Sequence, residues 1–284
     1  MPQVSRQTPL ASRLSPKTNG VLDRIVPVGS QKQGMRLSVY GRPKTGKTRL
    51  ACSFPKPLLV IGTEDGTASV AGMKGVDFVM LQRCEELTEL TSHVIARRKY
   101  LSVTLDNGTG FRDMRIAEIL GLERAPVQKG WGYAGRDQWI ECANSMKQMI
   151  RPLFDLARTT ELNLVVIAQE QNYGGGDEAG GSGSELLIPS VSSALGKSVC
   201  DWVNAECDYV CQTLIREEEV TVETDVAGQK IPMRQKTGKK QYCLRVSPNE
   251  VYYAGFRLPN GRILDRDFVV DPSYEKLVKI IKGA

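Results

Sequence analysis

Residues 41–48 read GRPKTGKT. Gly41, Gly46, Lys47 and Thr48 satisfy the pattern G-x-x-x-x-G-K-[ST], in which glycines let successive backbone N–H groups turn inward around an anion. The flanks complete the motif. The alternating apolar run MRLSVYG before it predicts a strand, and KTRLACSF after it predicts a helix whose N-terminus faces the phosphates. In that setting Lys47 reaches the β- and γ-phosphates of a nucleotide and the Thr48 hydroxyl holds Mg²⁺. The expected nucleotide-binding set is Gly41, Arg42, Pro43, Lys44, Thr45, Gly46, Lys47, Thr48 and Arg49.

Outward from this loop, strand and helix patterns alternate. Strands are expected at Arg36–Tyr40, Leu58–Ile61, Asp77–Leu81, Leu101–Leu105 and Asn163–Ala168. Between them, Leu87, Leu90 and Val94 share one helical face, as do Ile140, Ala143, Met146, Ile150, Leu153 and Ala157. After residue 208 the pattern changes to strands, YVCQTLI, EVTVET, QYCLRV and VYYAGFRL, and closes with a helix at SYEKLVKIIKG. The expected fold is α/β: a mostly parallel sheet flanked by helices, with a C-terminal antiparallel extension.

The chain has 284 residues, 41% hydrophobic and 25% charged, an ordinary globular composition able to bury a large core. Residues 34–284 are expected to form one domain. Residues 1–33 carry five basic side chains against Asp23 alone and read as a flexible basic tail. Within it VLDRIVPV is more apolar; it either covers the edge of the core or docks on a neighbouring subunit. No secretory signal and no bilayer-length apolar stretch is present, which places the protein in the cytoplasm with no membrane association. Seven cysteines without regular spacing fit reduced thiols. Cys200, Cys207, Cys211 and Cys243 lack the tight C-x-x-C that would argue for zinc. The net charge of +6 permits a polyanionic partner without demanding one.

Three residues at strand ends carry the expected chemistry. Asp106 follows YLSVTL and can hold the metal's water shell from a strand beside the phosphate-loop strand, although DNGTG would also make an ordinary turn. Glu64, after PLLVIGT, is the candidate general base, with Asp65 as its alternative. Gln169 ends the aliphatic strand LNLVVIAQ, where its amide can sense a γ-phosphate and signal its loss to the glycine-rich loop NYGGGDEAGGSGSELL.

With these residues in place, the chain resembles the RecA-like recombinase ATPases, most closely a phage-encoded branch associated with single-strand annealing and homologous recombination. The resemblance runs from about Met35 to the C-terminus and rests on the order phosphate loop, TEDG, LDN, IAQ, mobile loop, CDYV, YCLRV, FRLPNG and DPSYEKLVKIIKG. It implies ATP and Mg²⁺, with Lys47 and Thr48 on phosphate and metal, Glu64 as catalytic glutamate, Asp106 in the metal shell and Gln169 as sensor. It also implies a homo-oligomer, filament or ring, in which Arg257 acts across the subunit boundary. Gly255 stands where relatives carry a lysine, a role Lys239 or Lys240 could take, and Asn107 stands where they often carry serine.

Single-stranded DNA is the implied partner, with a single-strand-binding protein as a further one, in a bacterial host cytoplasm. One loop interleaves Lys129 and Arg136 with Trp131 and Tyr133, the mixture that neutralises phosphates and stacks bases; Trp131 and Trp139 could instead pack on the core. The glycine-rich loop is a second candidate, and the basic run GQKIPMRQKTGKK a third, though the default for the latter is a solvated hairpin. Two other functions stay open: a nucleotide-gated interaction or loader protein with little hydrolysis, and a small-molecule phosphotransferase.

Overall fold

A computed structural model of the protein describes residues 33–64, 66–97, 99–123, 134–173, 190–226 and 229–283. Six strands run parallel: β1 (Arg36–Gly41), β2 (Leu58–Gly62), β3 (Val76–Met80), β4 (Ser102–Asp106), β5 (Asn163–Tyr173) and β7 (Tyr209–Val226). Their spatial order is β3-β2-β4-β5-β1-β7. β8 (Gln229–Arg245) pairs antiparallel with β7, and β10 (Phe268–Val270) antiparallel with β8. Two short strands lie off this path: β6 (Ser190–Ser193) beside β5 and β9 (Gly255–Phe256) beside β7.

Central strands covered on both faces need apolar residues in unbroken runs, and β1 and β2 are buried at every position. Alternate residues of β5 serve opposite faces. Leu164, Val166 and Ala168 pack with Leu87 and Val94 of α2 (Glu86–Arg97), Phe111 and Ile116 of α3 (Gly108–Ile119), Met146, Ile150 and Leu153 of α4 (Arg136–Thr159), and Val199 and Val203 of α5 (Lys197–Glu206). Val165 and Ile167 face the other way, toward Leu50 and Ala51 of α1 (Lys47–Ala51) and Leu277 and Ile280 of α6 (Tyr274–Lys282). β3, at the sheet margin, leaves Phe78 and Met80 exposed. Among the described residues no helix is long and apolar enough to cross a membrane. No three His, Cys, Asp or Glu side chains among them converge as a metal cluster, so the four cysteines form no tetrad.

The α/β fold with a parallel sheet and antiparallel late strands is as the sequence predicts, but several local expectations need correction. YVCQTLI and EVTVET form the single 18-residue β7, which joins the parallel sheet through β1 before pairing with β8; only β8, β9 and β10 extend it antiparallel. VYYAGFRL yields only β9, because Tyr252 forms an isolated bridge to Val191 instead of continuing a strand. On α4 the buried face runs through Cys142, while Ile140 and Trp139 are exposed; Trp139 therefore does not belong to the core. DNGTG does not make a loose turn: Asn107 caps α3 by accepting from Gly110 N at 2.6 Å.

Residues 229–240 of the basic run lie on β8, which with β7 forms a long hairpin, Glu217 facing Lys240 and Glu219 facing Lys236. Beyond Thr213, the last residue of β7 paired with β1, this arm continues for about 40 Å at strand spacing. The 1–32 segment and the candidate DNA-contacting residues Lys129, Trp131 and Tyr133 lie outside the described residues, as do Asp65 and 174–189 of the glycine-rich loop.

Candidate nucleotide-binding site

The loop between β1 and α1 is shaped by its glycines. Gly46 sits at φ 89, a left-handed conformation that glycine adopts without strain. A Cβ on Gly41 would lie 2.4 Å from the backbone oxygen of Thr213, so only glycine lets β1 leave the sheet this close to β7. Thr45 pins the loop to the same strand: its hydroxyl meets that of Thr213 at 2.7 Å and donates to Arg42 O at 2.8 Å. Arg42, Pro43, Lys44 and Arg49 are exposed around the rim.

Lys47 is buried inside this loop. Its ammonium donates to Gly41 O and Arg42 O, both at 2.8 Å, and to Gln169 Oε1 at 3.3 Å. Burial pushes its pKa down to about 8, with Asp106, Glu170 and Glu64 pulling the other way. The cation is thus held poised over the loop by neutral oxygens, which an anion can displace.

Asp106 reaches the loop from two strands away. Sequence reasoning put its strand beside β1, but β5 intervenes, and Thr48 Oγ1 nevertheless donates to Asp106 Oδ2 at 2.6 Å. Burial raises the Asp106 pKa, Glu64 adds to the rise, and the Thr48 hydrogen bond and Lys47 oppose it. A hydroxyl and a buried carboxylate are hard oxygen donors suited to Mg²⁺, which keeps several waters, and a cation here would relieve the cost of the buried charge. Thr48 and Asp106 fit that ion. When bound, it supplies neutralisation of phosphate charge.

Glu64 stands just past β2, exposed, at the same sheet edge. Thr63 N donates to Asp106 O at 3.0 Å and Thr63 Oγ1 to Asn107 O at 3.1 Å, which ties this segment to the end of β4. The Glu64 carboxylate is close enough to act electrostatically on both Lys47 and Asp106.

Gln169 faces Gly41 in the sheet register, and its backbone N donates to Thr109 Oγ1 of α3 at 3.0 Å. It does not end its strand: β5 continues to Tyr173 because Glu170–Tyr173 pair with β6. One step on, Glu170 accepts from Arg42 Nε at 2.7 Å and Gln212 Nε2 at 3.1 Å, and Gln212 Oε1 accepts from Arg245 Nε at 3.1 Å. This relay links the loop to β8. Sequence reasoning missed it because nothing local signals that β7 and β8 sit beside the loop.

Arg257 is not brought to this site within the chain. Its backbone N donates to Asp208 O and its guanidinium to Ala205 O at 2.7 Å, while Asp208 also binds Arg36, at the opposite end of β1. The length of β1, about 17 Å at strand spacing, separates the two ends. Lys239 and Lys240 lie exposed on the hairpin, Lys239 Nζ 3.7 Å from Glu218.

Of the DNA candidates, Arg136 is described, at the start of α4. It lines a cleft of about 450 Å³ with Arg112, Trp139, Gln171 and Lys197; among the described residues the lining holds no carboxylate, though Arg112 pairs with Asp113 at 2.7 Å and Lys197 lies 3.7 Å from Asp201. A second cleft, of about 420 Å³, borders the phosphate loop and is walled by Tyr242 and Asp271.

The family model described as AAA domain matches residues 33–258, so the chain belongs to the AAA domain family of P-loop ATPases, whose general activity is ATP binding and hydrolysis. None of the curated proteins compared with the chain matches it.

Proposed function

We propose that this AAA-domain protein is an ATPase that binds single-stranded DNA and promotes annealing or strand exchange in phage DNA recombination, working as an oligomer whose ATP site is completed by Arg257 of the next subunit. The observation that carries the DNA reading is the cleft of Arg112, Arg136, Trp139 and Lys197. Arg136 and an exposed indole, beside Arg112 paired with Asp113 at 2.7 Å and Lys197 3.7 Å from Asp201, suit a strand whose phosphates are neutralised and whose bases stack, without sequence readout.

The cleft is wired to the nucleotide site. Gln171 lines it, and Gln169, two residues back along β5, accepts from Lys47. Arg112 belongs to α3, whose Thr109 holds Gln169 N. DNA in the cleft would therefore act on the group that touches Lys47, which is the basis for DNA-stimulated hydrolysis. In turn, Glu64 draws a proton from the attacking water while Lys47 stabilises charge on the transferred phosphoryl group.

The test is fluorescence anisotropy with labelled oligonucleotides at several salt concentrations. Binding should weaken with salt, be indifferent to sequence, and fall by about 1–3 kcal/mol in Trp139→Ala. Binding that is unchanged in both Trp139→Ala and Arg136→Ala would remove the cleft from the reading.

A further inference from the structure

The cleft of about 420 Å³ opens directly beside the phosphate loop, with Thr45 and Gly46 in its lining. Thr45, Gly46 and Arg49 form one side, and Tyr242, Asp271 and Ser273 stand opposite. The Tyr242 ring lies directly against the loop, since a Cβ on Gly46 would sit 3.3 Å from its Cδ1. Tyr242 and Met73, both lining this cleft, are among the large apolar side chains left exposed, at 40% and 37%. Asp271 N donates to Tyr242 O at 2.7 Å, so these two lining residues are fixed to one another.

Resting on the reading of the loop as a nucleotide site, we infer that this cleft receives the nucleoside half of the bound nucleotide, with the Tyr242 ring as the platform on which the base stacks. A nucleotide whose phosphates occupy the loop must place its base in space contiguous with the loop. The Arg112 cleft has no phosphate-loop residue in its lining, whereas this one has Thr45 and Gly46. An aromatic face and a thioether suit a planar base, and the Asp271 carboxylate accepts from ribose hydroxyl or base amino donors. Tyr242 belongs to β8, the return strand of the hairpin, so the base would tie that arm to the phosphate loop.

Calorimetric titration with Mg²⁺ and either ATP or inorganic tripolyphosphate tests the pocket separately from the loop. Wild-type protein should bind both, ATP more tightly. Tyr242→Ala should weaken ATP about tenfold or more and leave tripolyphosphate unchanged, while Tyr242→Phe, which keeps the ring, stays within about twofold for both. Unchanged ATP affinity in Tyr242→Ala overturns the inference, and so does equal weakening of both ligands, which would make Tyr242 a prop for Gly46. Wild-type binding of tripolyphosphate as tight as ATP sinks the pocket alone. Binding of neither sinks the nucleotide reading with it.

Discussion

The Thr48 hydroxyl donates to the Asp106 carboxylate at 2.6 Å although β5 separates the two strands that deliver them. The intervening strand is what places Gln169 between the phosphate loop and the acidic residue, so that one amide lies beside Lys47 while the carboxylate still reaches Thr48. The phosphate-loop motif, the Thr48–Asp106 pair and Gln169 therefore share one sheet edge.

If that pair holds Mg²⁺, Asp106→Asn should reduce the metal's contribution to ATP affinity by about 10–100-fold, because a neutral amide cannot match a carboxylate as a hard donor. Titrations with Mg²⁺ and with EDTA check this. A variant whose affinity responds to Mg²⁺ as the wild type does would remove Asp106 from the role.

Glu64→Gln should bind ATP normally and hydrolyse it about 10²–10⁴-fold more slowly, since the amide keeps the shape but accepts no proton. Single-turnover hydrolysis beside equilibrium binding separates the two effects. Unchanged hydrolysis would pass the role to another acid.

Burial sets Lys47 near 8, below an ordinary lysine. Phosphate needs the charged form, which predominates below that pKa and is lost above it. ATP affinity should therefore fall about tenfold between pH 7 and pH 9, and the fall should be absent in Lys47→Arg, whose guanidinium stays charged. A flat wild-type profile would contradict the poised-lysine assignment.

Arg257 and the phosphate loop occupy opposite ends of the sheet, so any contribution of Arg257 to the reaction comes from another subunit. Mixing Arg257→Ala with Lys47→Ala subunits should restore part of the hydrolysis that each lacks alone. No rescue in mixtures shown to co-assemble would argue against a shared site.

The phosphate loop was legible because its chemistry is local: eight consecutive residues and their flanks specify it. Asp106 and Glu64 could be located as strand exits for the same reason. The strand order was not legible, since nothing in YLSVTLD or LNLVVIAQ says which of the two lies beside β1. Gln169 read as a strand end because β5's continuation depends on β6, which lies on the far side of residues 174–189. The Thr45–Thr213 contact, the Arg42–Glu170 pair and Tyr242 against Gly46 join residues well over a hundred positions apart, visible only once the strands assemble.

On the proposed function, ATP is hydrolysed at Lys47 and single-stranded DNA drives that hydrolysis. Steady-state phosphate release, measured for wild type and Lys47→Ala with and without an oligonucleotide, tests it most directly. The account predicts slow release by the wild type, a clear rise on adding single-stranded DNA, and none in Lys47→Ala under either condition. Release that ignores DNA would contradict the coupling through β5, and release that survives in Lys47→Ala would contradict the site itself.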